Sequence, residues 1–186
     1  MILEPFLLSV NETNAYIVAC TDTGEAAVID PGEWNPQLAD FLQDQKLRLR
    51  WVLITHGHGD HTGGIDAIRQ GYPEVKIAAH SLLSGSDMRL TRKTAVPVGK
   101  LSLRVLETPG HTADSLSFTI GNDVFCGDAL FAGSVGGTNS RDEYDTLIQS
   151  IRRQLLPLGD DMVLHPGHGP ATTVLIERLF NPFLMG

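Results

Sequence analysis

Four potential metal ligands lie within six residues of this chain, directly after an uninterrupted apolar run. The run covers residues 51–54 (Trp-Val-Leu-Ile), which is the length of a β-strand. Because it contains no polar residue, it predicts a strand that is buried on both faces. The loop that follows, residues 55–61, therefore presents its side chains at the end of a rigid element. Its potential ligands are His56, His58, Asp60 and His61.

The spacing of these ligands predicts two neighbouring metal sites. In extended backbone, residues i and i+2 point to the same side, so His56 and His58 can bind one metal ion. If the chain then turns at Gly59, Asp60 and His61 can face a second ion. The two glycines between the ligands have no Cβ, and we expect this to make room for the tight path.

Three further apolar strands end in loops of the same kind. Each loop carries glycine and one potential ligand, and these ligands are His111, Asp128 and His168. Imidazole nitrogen suits zinc, iron, copper or nickel, and a carboxylate offsets part of the charge of the cation. Scattered surface histidines would not recur at successive strand ends, so the pattern predicts a metal centre.

The rest of the chain alternates between strand and helix patterns. Residue 35 is Asn and residue 36 is Pro, a pair typical of a helix start. Residues 81–98 are read as a helix followed by an irregular segment. Strands are predicted over 4–10, 14–20, 26–29, 51–54, 75–79, 101–107, 115–120, 124–126 and 162–164, and further helices over 65–70, 144–155 and 174–180. This order fits an α/β fold of four layers, with two packed sheets between outer helices (αββα).

Composition restricts the class of protein. The 186 residues fit a single domain over 1–186, and 42% hydrophobic with 19% charged residues is typical of a globular protein. A net charge of −8 argues against a nucleic-acid partner. No apolar run reaches the roughly 20 residues of a membrane span, and no signal peptide is recognisable, so we expect a cytoplasmic protein without a membrane partner. Cys20 and Cys126 are expected to be buried thiols.

The ligand loops resemble those of a known family. Residues 56–61 (His-Gly-His-Gly-Asp-His) match the H-x-H-x-D-H signature of the metallo-β-lactamase superfamily, and the three later ligands match its remaining positions in order. The resemblance implies an αββα sandwich with two divalent metal ions, zinc first and iron or manganese as alternatives, at one edge between the sheets. It assigns His56, His58 and His111 to one metal, and Asp60, His61 and His168 to the other. Asp128 would bridge both.

The resemblance also implies a reaction. A hydroxide bridging the metals would attack a carbonyl, and Asp60 would orient it or carry its proton, so that Asp60 and Asp128 are the catalytic carboxylates. Aspartate at position 128 argues against β-lactamases that place cysteine there. The stretches 110–115 and 127–134 are most similar to glyoxalase II-like hydrolases, and the sequence after His168 is similar to their short members without the C-terminal glutathione-binding helical domain. This resemblance predicts a hydrolase that acts on a small thioester. Whether glutathione is the thiol that carries the acyl group stays open, because residues Gly136–Asn139 lack the arginine that similar hydrolases usually have at this place.

Two other functions remain open at this point. A persulfide dioxygenase would use His56, His111 and Asp128 to hold one iron. The third possible function is that of a binding protein that holds metal but catalyses no reaction. The remaining polar residues near the predicted loops are expected to be structural or surface residues rather than ligands; these are His80, His165, Arg141 and Tyr144. The sequence leaves the oligomeric state undetermined.

Overall fold

Two six-stranded β-sheets pack face to face, and helices cover both outer faces. The structure is a computed structural model that describes residues 1–185. The four-layer αββα architecture expected from the order of elements is confirmed. Among the described residues, no helix combines the length and the apolar character that a membrane crossing requires.

The first sheet is built from the N-terminal half of the chain in sequential order. Its strands β1 to β3 are antiparallel, and β3 to β6 are parallel. They are β1 Ile2–Leu7, β2 Asn14–Ala19, β3 Glu25–Ile29, β4 Arg48–Leu53, β5 Lys76–His80 and β6 Met88–Leu90.

The second sheet is mixed and ends in the C-terminal half of the chain. Its strands are β7 Ala95–Val98, β8 Leu101–Glu107, β9 Leu116–Ile120, β10 Asp123–Gly127, β13 Val163–Pro166 and β14 Thr172–Thr173. Their order is β14-β13-β10-β9-β8-β7, with β10 and β13 parallel. A separate small hairpin consists of β11 Leu130–Phe131 and β12 Ser134–Val135.

Within residues 1–185, five α-helices connect the strands. They are α1 Pro36–Asp44, α2 Gly59–Thr62, α3 Ile65–Gly71, α4 Arg141–Ser150 and α5 Val174–Phe180. Three of them begin at a side chain that accepts a hydrogen bond from the first turn: Asn35 for α1, Ser140 for α4 and Thr173 for α5. Such caps satisfy backbone N–H groups that the helix itself leaves unpaired. The predicted start of α1 and the bounds of α5 are confirmed.

Strand β2 shows how the layers are joined. Ala15, Ile17 and Ala19 face the core beneath α1 and α3, whereas Tyr16 and Val18 face the core between the sheets. Since successive side chains of a strand point to opposite faces, a strand that is apolar throughout is buried on both sides. A third core lies between the second sheet and α4, around Leu147 and Ile151.

The prediction for residues 81–98 was wrong. Instead of a helix, the segment contains the short edge strands β6 and β7, which pair with β5 and β8 respectively. Only two residues of β7, Val96 and Val98, are buried. The alternation of buried and exposed residues is therefore too short to predict a strand from the sequence. The first strand is also displaced: β1 covers Ile2–Leu7 rather than residues 4–10, and a turn with positive φ angles at Asn11 and Glu12 separates it from β2. The β11–β12 hairpin was not predicted.

Candidate metal centre

Four loops from both sheets meet at one edge of the sandwich. The loop after β4 carries the first four predicted ligands, the β8–β9 loop carries His111, and Asp128 and His168 follow the parallel strands β10 and β13. The backbone N–H of Leu116 donates to the carbonyl of Thr55 at 2.8 Å and so joins the two sheets beside the loops. All seven predicted ligand side chains come together here, in three groups whose ligand atoms lie within 4.8 Å of one another.

The first group consists of three imidazoles, those of His56, His58 and His111. Nδ1 of His58 lies 3.0 Å from Nε2 of His56 and 3.1 Å from Nε2 of His111. His56 is buried, whereas His58 is exposed. Three converging nitrogens with one side open to solvent are typical of a catalytic rather than a closed structural metal site.

The second group consists of Asp60, His61 and His168. Oδ2 of Asp60 lies 3.6 Å from Nε2 of His168, and His61 is fully buried beneath them. The backbone turns into α2 at Gly59, as expected, and this turn places Asp60 and His61 together in the second group. The reason expected for that glycine was wrong, because a Cβ on Gly59 would meet nothing within 4 Å.

Asp128 lies between the two groups. Its Oδ1 is 3.4 Å from Nε2 of His61, and its Oδ2 is 3.5 Å from Nε2 of His168 and 3.7 Å from Nε2 of His111. The carboxylate therefore contacts nitrogens of both groups at once. This is the position that a bridging ligand requires.

Two buried atoms show that the pocket fits a metal. Nε2 of His61 and Oδ1 of Asp128 are both buried without a hydrogen-bond partner. Their separation of 3.4 Å is too long for a well-formed hydrogen bond. Leaving such atoms unsatisfied is costly, and a divalent cation would satisfy both. Five imidazoles and two carboxylates are also a donor set that zinc, iron or manganese accepts.

The buried groups of the site shift one another's pKa values. Burial, reinforced by the charge of His61, lowers the pKa of His56 to about 3 and keeps this ring neutral. Burial would also lower the pKa of His61, but the charges of Asp30 and Asp128 outweigh it and raise that pKa to about 10. Burial opposes ionisation of Asp128, yet His61 holds its pKa at about 2. The protonated His61 thus faces the carboxylates of both Asp30 and Asp128.

Asp30 supports the site, although the sequence analysis did not single it out. Its Oδ1 accepts the backbone N–H of Thr55 at 2.7 Å, and its Oδ2 accepts the Thr55 hydroxyl at 2.6 Å. Oδ2 also lies 3.0 Å from Nδ1 of His61. A carboxylate on Nδ1 fixes the ring so that Nε2 faces the metal. The available signal was an acidic residue directly after an apolar strand, the same arrangement as at Asp128.

Two other rings are held by bonds from behind. Nδ1 of His56 lies 3.0 Å from the Thr55 hydroxyl oxygen, and Nδ1 of His111 donates to the Gly137 carbonyl at 2.7 Å. Both rings consequently direct Nε2 into the first group. The segment Gly136–Asn139 thus contributes a backbone contact to a predicted ligand.

The residues that were expected not to be ligands have other partners. His165 lies 2.8 Å from Asp123 and stacks on Phe125, and Nδ1 of His80 accepts the backbone N–H of Leu82. Arg141 pairs with Asp145 and lies over the ring of Tyr144. Both cysteines are free and buried, as expected.

Replacing Asp30 with asparagine is expected to weaken metal binding by about 10–100-fold, the usual effect of losing a carboxylate behind a ligating imidazole. Asparagine tolerates the positive φ of 51° at this position, so the backbone should keep its path. Competition with a fluorescent chelator measures the affinity. Asp123→Asn is the matched control, because it removes a carboxylate from another histidine, His165. Equal affinities in both variants would show that Asp30 does not orient His61.

Comparison with known proteins agrees with this geometry. The family model for the metallo-beta-lactamase superfamily matches residues 8–168. Hydroxyacylglutathione hydrolase GloC from Haemophilus influenzae is 34% identical, over 88% of this chain and 89% of its own length.

Solved structures share the fold throughout. The chain superposes on a protein titled BLEG-1 B3 metallo-beta-lactamase with a TM-score of 0.90 and 31% identity, covering 100% of both chains. It matches ETHE1 from Myxococcus xanthus with a TM-score of 0.87 and 30% identity, over 98% of this chain and 84% of the other. TTHA1623 in a di-iron-bound form matches with a TM-score of 0.78 and 32% identity, over 97% of this chain and 100% of the other. The chain therefore belongs to the metallo-β-lactamase superfamily, and its curated relatives are consistent with a glyoxalase II-like member.

Proposed function

We propose that this protein is a thioester hydrolase that works with a pair of divalent metal ions. The observation that carries the proposal is the place of Asp128, whose two oxygens contact the histidines of both ligand groups. His56, His58 and His111 would hold one ion, and Asp60, His61 and His168 the other. We favour zinc, with iron and manganese as alternatives that the same donors accept.

A bound metal pair supplies Lewis acidity and lowers the pKa of a coordinated water toward neutrality. The protein's own side chains prepare this chemistry by fixing the ligands. Asp30 and Thr55 hold the buried rings from behind, so the binding atoms need little reorganisation. Asn11 donates to Oδ2 of Asp60 at 3.1 Å and so helps to fix the carboxylate that would orient a water molecule or carry its proton.

The charge of the site supports an acyl-transfer substrate. Two carboxylates, Asp60 and Asp128, only partly offset two divalent ions, so the loaded centre is net positive. Such a centre stabilises the negative charge that develops on a carbonyl oxygen under attack. Beside it, Phe131 lies with its ring 6.1 Å from that of His168 and offers an apolar surface to the substrate. The overall charge of −8 continues to disfavour nucleic acid.

The relatives favour a thioester as the substrate class. GloC is named a hydroxyacylglutathione hydrolase, and a hydroxyacylglutathione is a thioester. Our proposal extends this class of bond to the present chain and leaves the carrier to experiment.

A substrate panel tests the proposal. The purified protein is assayed with S-lactoylglutathione, with the same acyl group on N-acetylcysteamine, and with a β-lactam. We expect hydrolysis of at least one thioester, its loss with a chelator, and its return when zinc is added. Comparison of the two thioesters shows whether glutathione is the carrier. Hydrolysis of the β-lactam without any thioester turnover would contradict the proposal.

A persulfide dioxygenase is the second candidate. Oδ2 of Asp128 lies 4.0 Å from Nε2 of His56 and 3.7 Å from Nε2 of His111, so the two histidines and the carboxylate could hold a single iron. The likeness to ETHE1 from Myxococcus xanthus adds some weight to it. Oxygen uptake with glutathione persulfide by the iron-loaded protein, without thioester turnover, would establish this function instead. If chelation abolishes either activity, a binding protein without turnover is excluded.

A further inference from the structure

Helix α5 has its polar and apolar faces in unusual places. On the side that faces the protein, one apolar residue, Val174, and two polar residues, Glu177 and Asn181, are completely buried. On the opposite side lie Leu175, Ile176, Leu179 and Phe180, with exposed fractions of 40%, 48%, 51% and 71%. A surface helix ordinarily directs its apolar side inward, so this arrangement is inverted.

The buried polar side of α5 is fully bonded. Glu177 accepts hydrogen bonds from the Thr172 hydroxyl at 2.7 Å, the Asn181 amide at 2.7 Å and the backbone N–H of Gly133 at 3.0 Å. Asn181 also donates to the Ser134 carbonyl at 3.0 Å. These bonds fix the rotation of the helix about its axis. The apolar residues therefore cannot turn inward without leaving a buried carboxylate unpaired.

The exposed apolar residues continue beyond the helix. Phe183 and Met185, which follow the end of the helix, are 43% and 65% exposed. We call these six side chains the α5 patch: Leu175, Ile176, Leu179, Phe180, Phe183 and Met185. If a fully exposed large side chain presents about 150–250 Å², the patch offers on the order of 600 Å² of apolar surface. That is at the upper limit of about 300–600 Å² for the largest patch of a typical monomer.

The area and charge of the patch match one side of a homodimer. A standard interface buries about 800 Å² per partner, of which about 65% is apolar in homodimers, close to what the α5 patch supplies. The patch includes no charged side chain, and Arg178 beside it is paired with Asp160. Two copies, each with a net charge of −8, can therefore meet here without direct like-charge contact.

We propose that the α5 patch is the self-complementary interface through which two copies of this chain form a twofold dimer. In the dimer, Leu179 and Phe180 of each copy pack against the same helix of the other. Gly133, which donates to Glu177, lies in the β11–β12 hairpin that also carries Phe131 beside His168. Dimerisation thus steadies one wall of the metal-binding cleft as well.

A membrane surface is a poorer match for the patch. Peripheral membrane helices combine an apolar face with lysine and arginine that attract anionic lipids. The only basic residue of α5, Arg178, is already paired, and the chain as a whole is acidic.

Sedimentation velocity on the full chain, from about 1 to 100 μM, tests the proposal. We expect wild type to be a dimer and Phe180→Glu to be a monomer, with an apparent dissociation constant raised at least 100-fold. Leu7→Glu is the matched control, since Leu7 is 65% exposed on β1 and should leave the dimer intact. A wild type that stays monomeric throughout, or a dimer that Phe180→Glu does not affect, would overturn the proposal. Binding of the monomer to vesicles containing phosphatidylserine would do so as well.

Cross-linking tests the same interface without a substitution that is designed to disrupt the dimer. Single cysteines at Ile176, Leu179 or Phe183 sample the length of the patch, and the natural cysteines are buried. We expect at least one of these variants to form a disulfide-linked dimer under mild oxidation, whereas Leu7→Cys should not. The absence of linked dimer from all three would contradict a twofold contact through α5.

Discussion

Asp128→Ala is expected to lose bound metal and to reduce thioester hydrolysis by at least about 10³-fold, the upper range for removing one stabilising group from an active site. Asp128 is the carboxylate whose oxygens contact imidazoles of both ligand groups. Without it, the first group has no carboxylate to offset its cation, and the second group keeps only that of Asp60. Asp128→Asn should fail similarly, because an amide preserves the shape but not the charge.

Metal content by mass spectrometry, measured together with the turnover rate, checks this expectation. Asp22→Ala is the control, since Asp22 is exposed and its carboxylate pairs with Lys100 at the surface. A variant without Asp128 that retained both metals would refute a bridging role. Retention of metal with loss of activity would instead indicate a role in the reaction alone.

Gly167→Ala is expected to lower activity by about 100-fold or more, the effect of misplacing reacting groups by about 1 Å. A Cβ at this position would lie 2.2 Å from Oδ1 of Asp128 and 2.6 Å from Cε1 of His61. The backbone cannot retreat easily, because Gly167 donates to the Gly127 carbonyl at 2.9 Å and accepts from Asn14 at 2.7 Å. The two ligand side chains must move instead.

The matched control for this variant is Gly59→Ala. Gly59 lies within the histidine loop itself, yet a Cβ there meets nothing within 4 Å. We expect it to bind metal and turn over substrate as wild type does. Circular dichroism should show both variants folded, since the atoms displaced in Gly167→Ala belong to side chains. If Gly167→Ala were as active as Gly59→Ala, the packing described around Asp128 would be wrong.

The sequence predicted the layers and the meeting of the ligand loops because both depend on local patterns. Apolar runs such as residues 51–54 identify buried strands, and a ligand directly after each run lies at the end of its strand. Asp128 could be related to the histidines on that basis, although about 70 residues separate it from His56. The ligand roles themselves remain a proposal that metal analysis must test.

What the sequence did not predict depends on contacts between distant segments. The role of Asp30 rests on bonds to Thr55 and His61, and its own neighbours in sequence indicate only a turn. The need for glycine at position 167 is likewise apparent only from the structure, where Asp128 lies beside it. The strand β7 is recognisable mainly through its pairing with β8, since it has only two buried side chains.

The inverted helix α5 illustrates the same limit. Its bounds follow from sequence, but an amphipathic pattern does not state which side faces the protein. Only the bonds of Glu177 reveal that the polar side is buried.

The number of metal ions in the fully active protein tests the central claim most directly. The chain is stripped with a chelator, titrated with zinc, and followed at each addition by metal analysis and by thioester turnover. Two separate ligand groups joined by Asp128 predict that activity reaches its maximum at two zinc ions per chain. Full activity at one ion per chain, with no gain from the second, would contradict a two-metal centre.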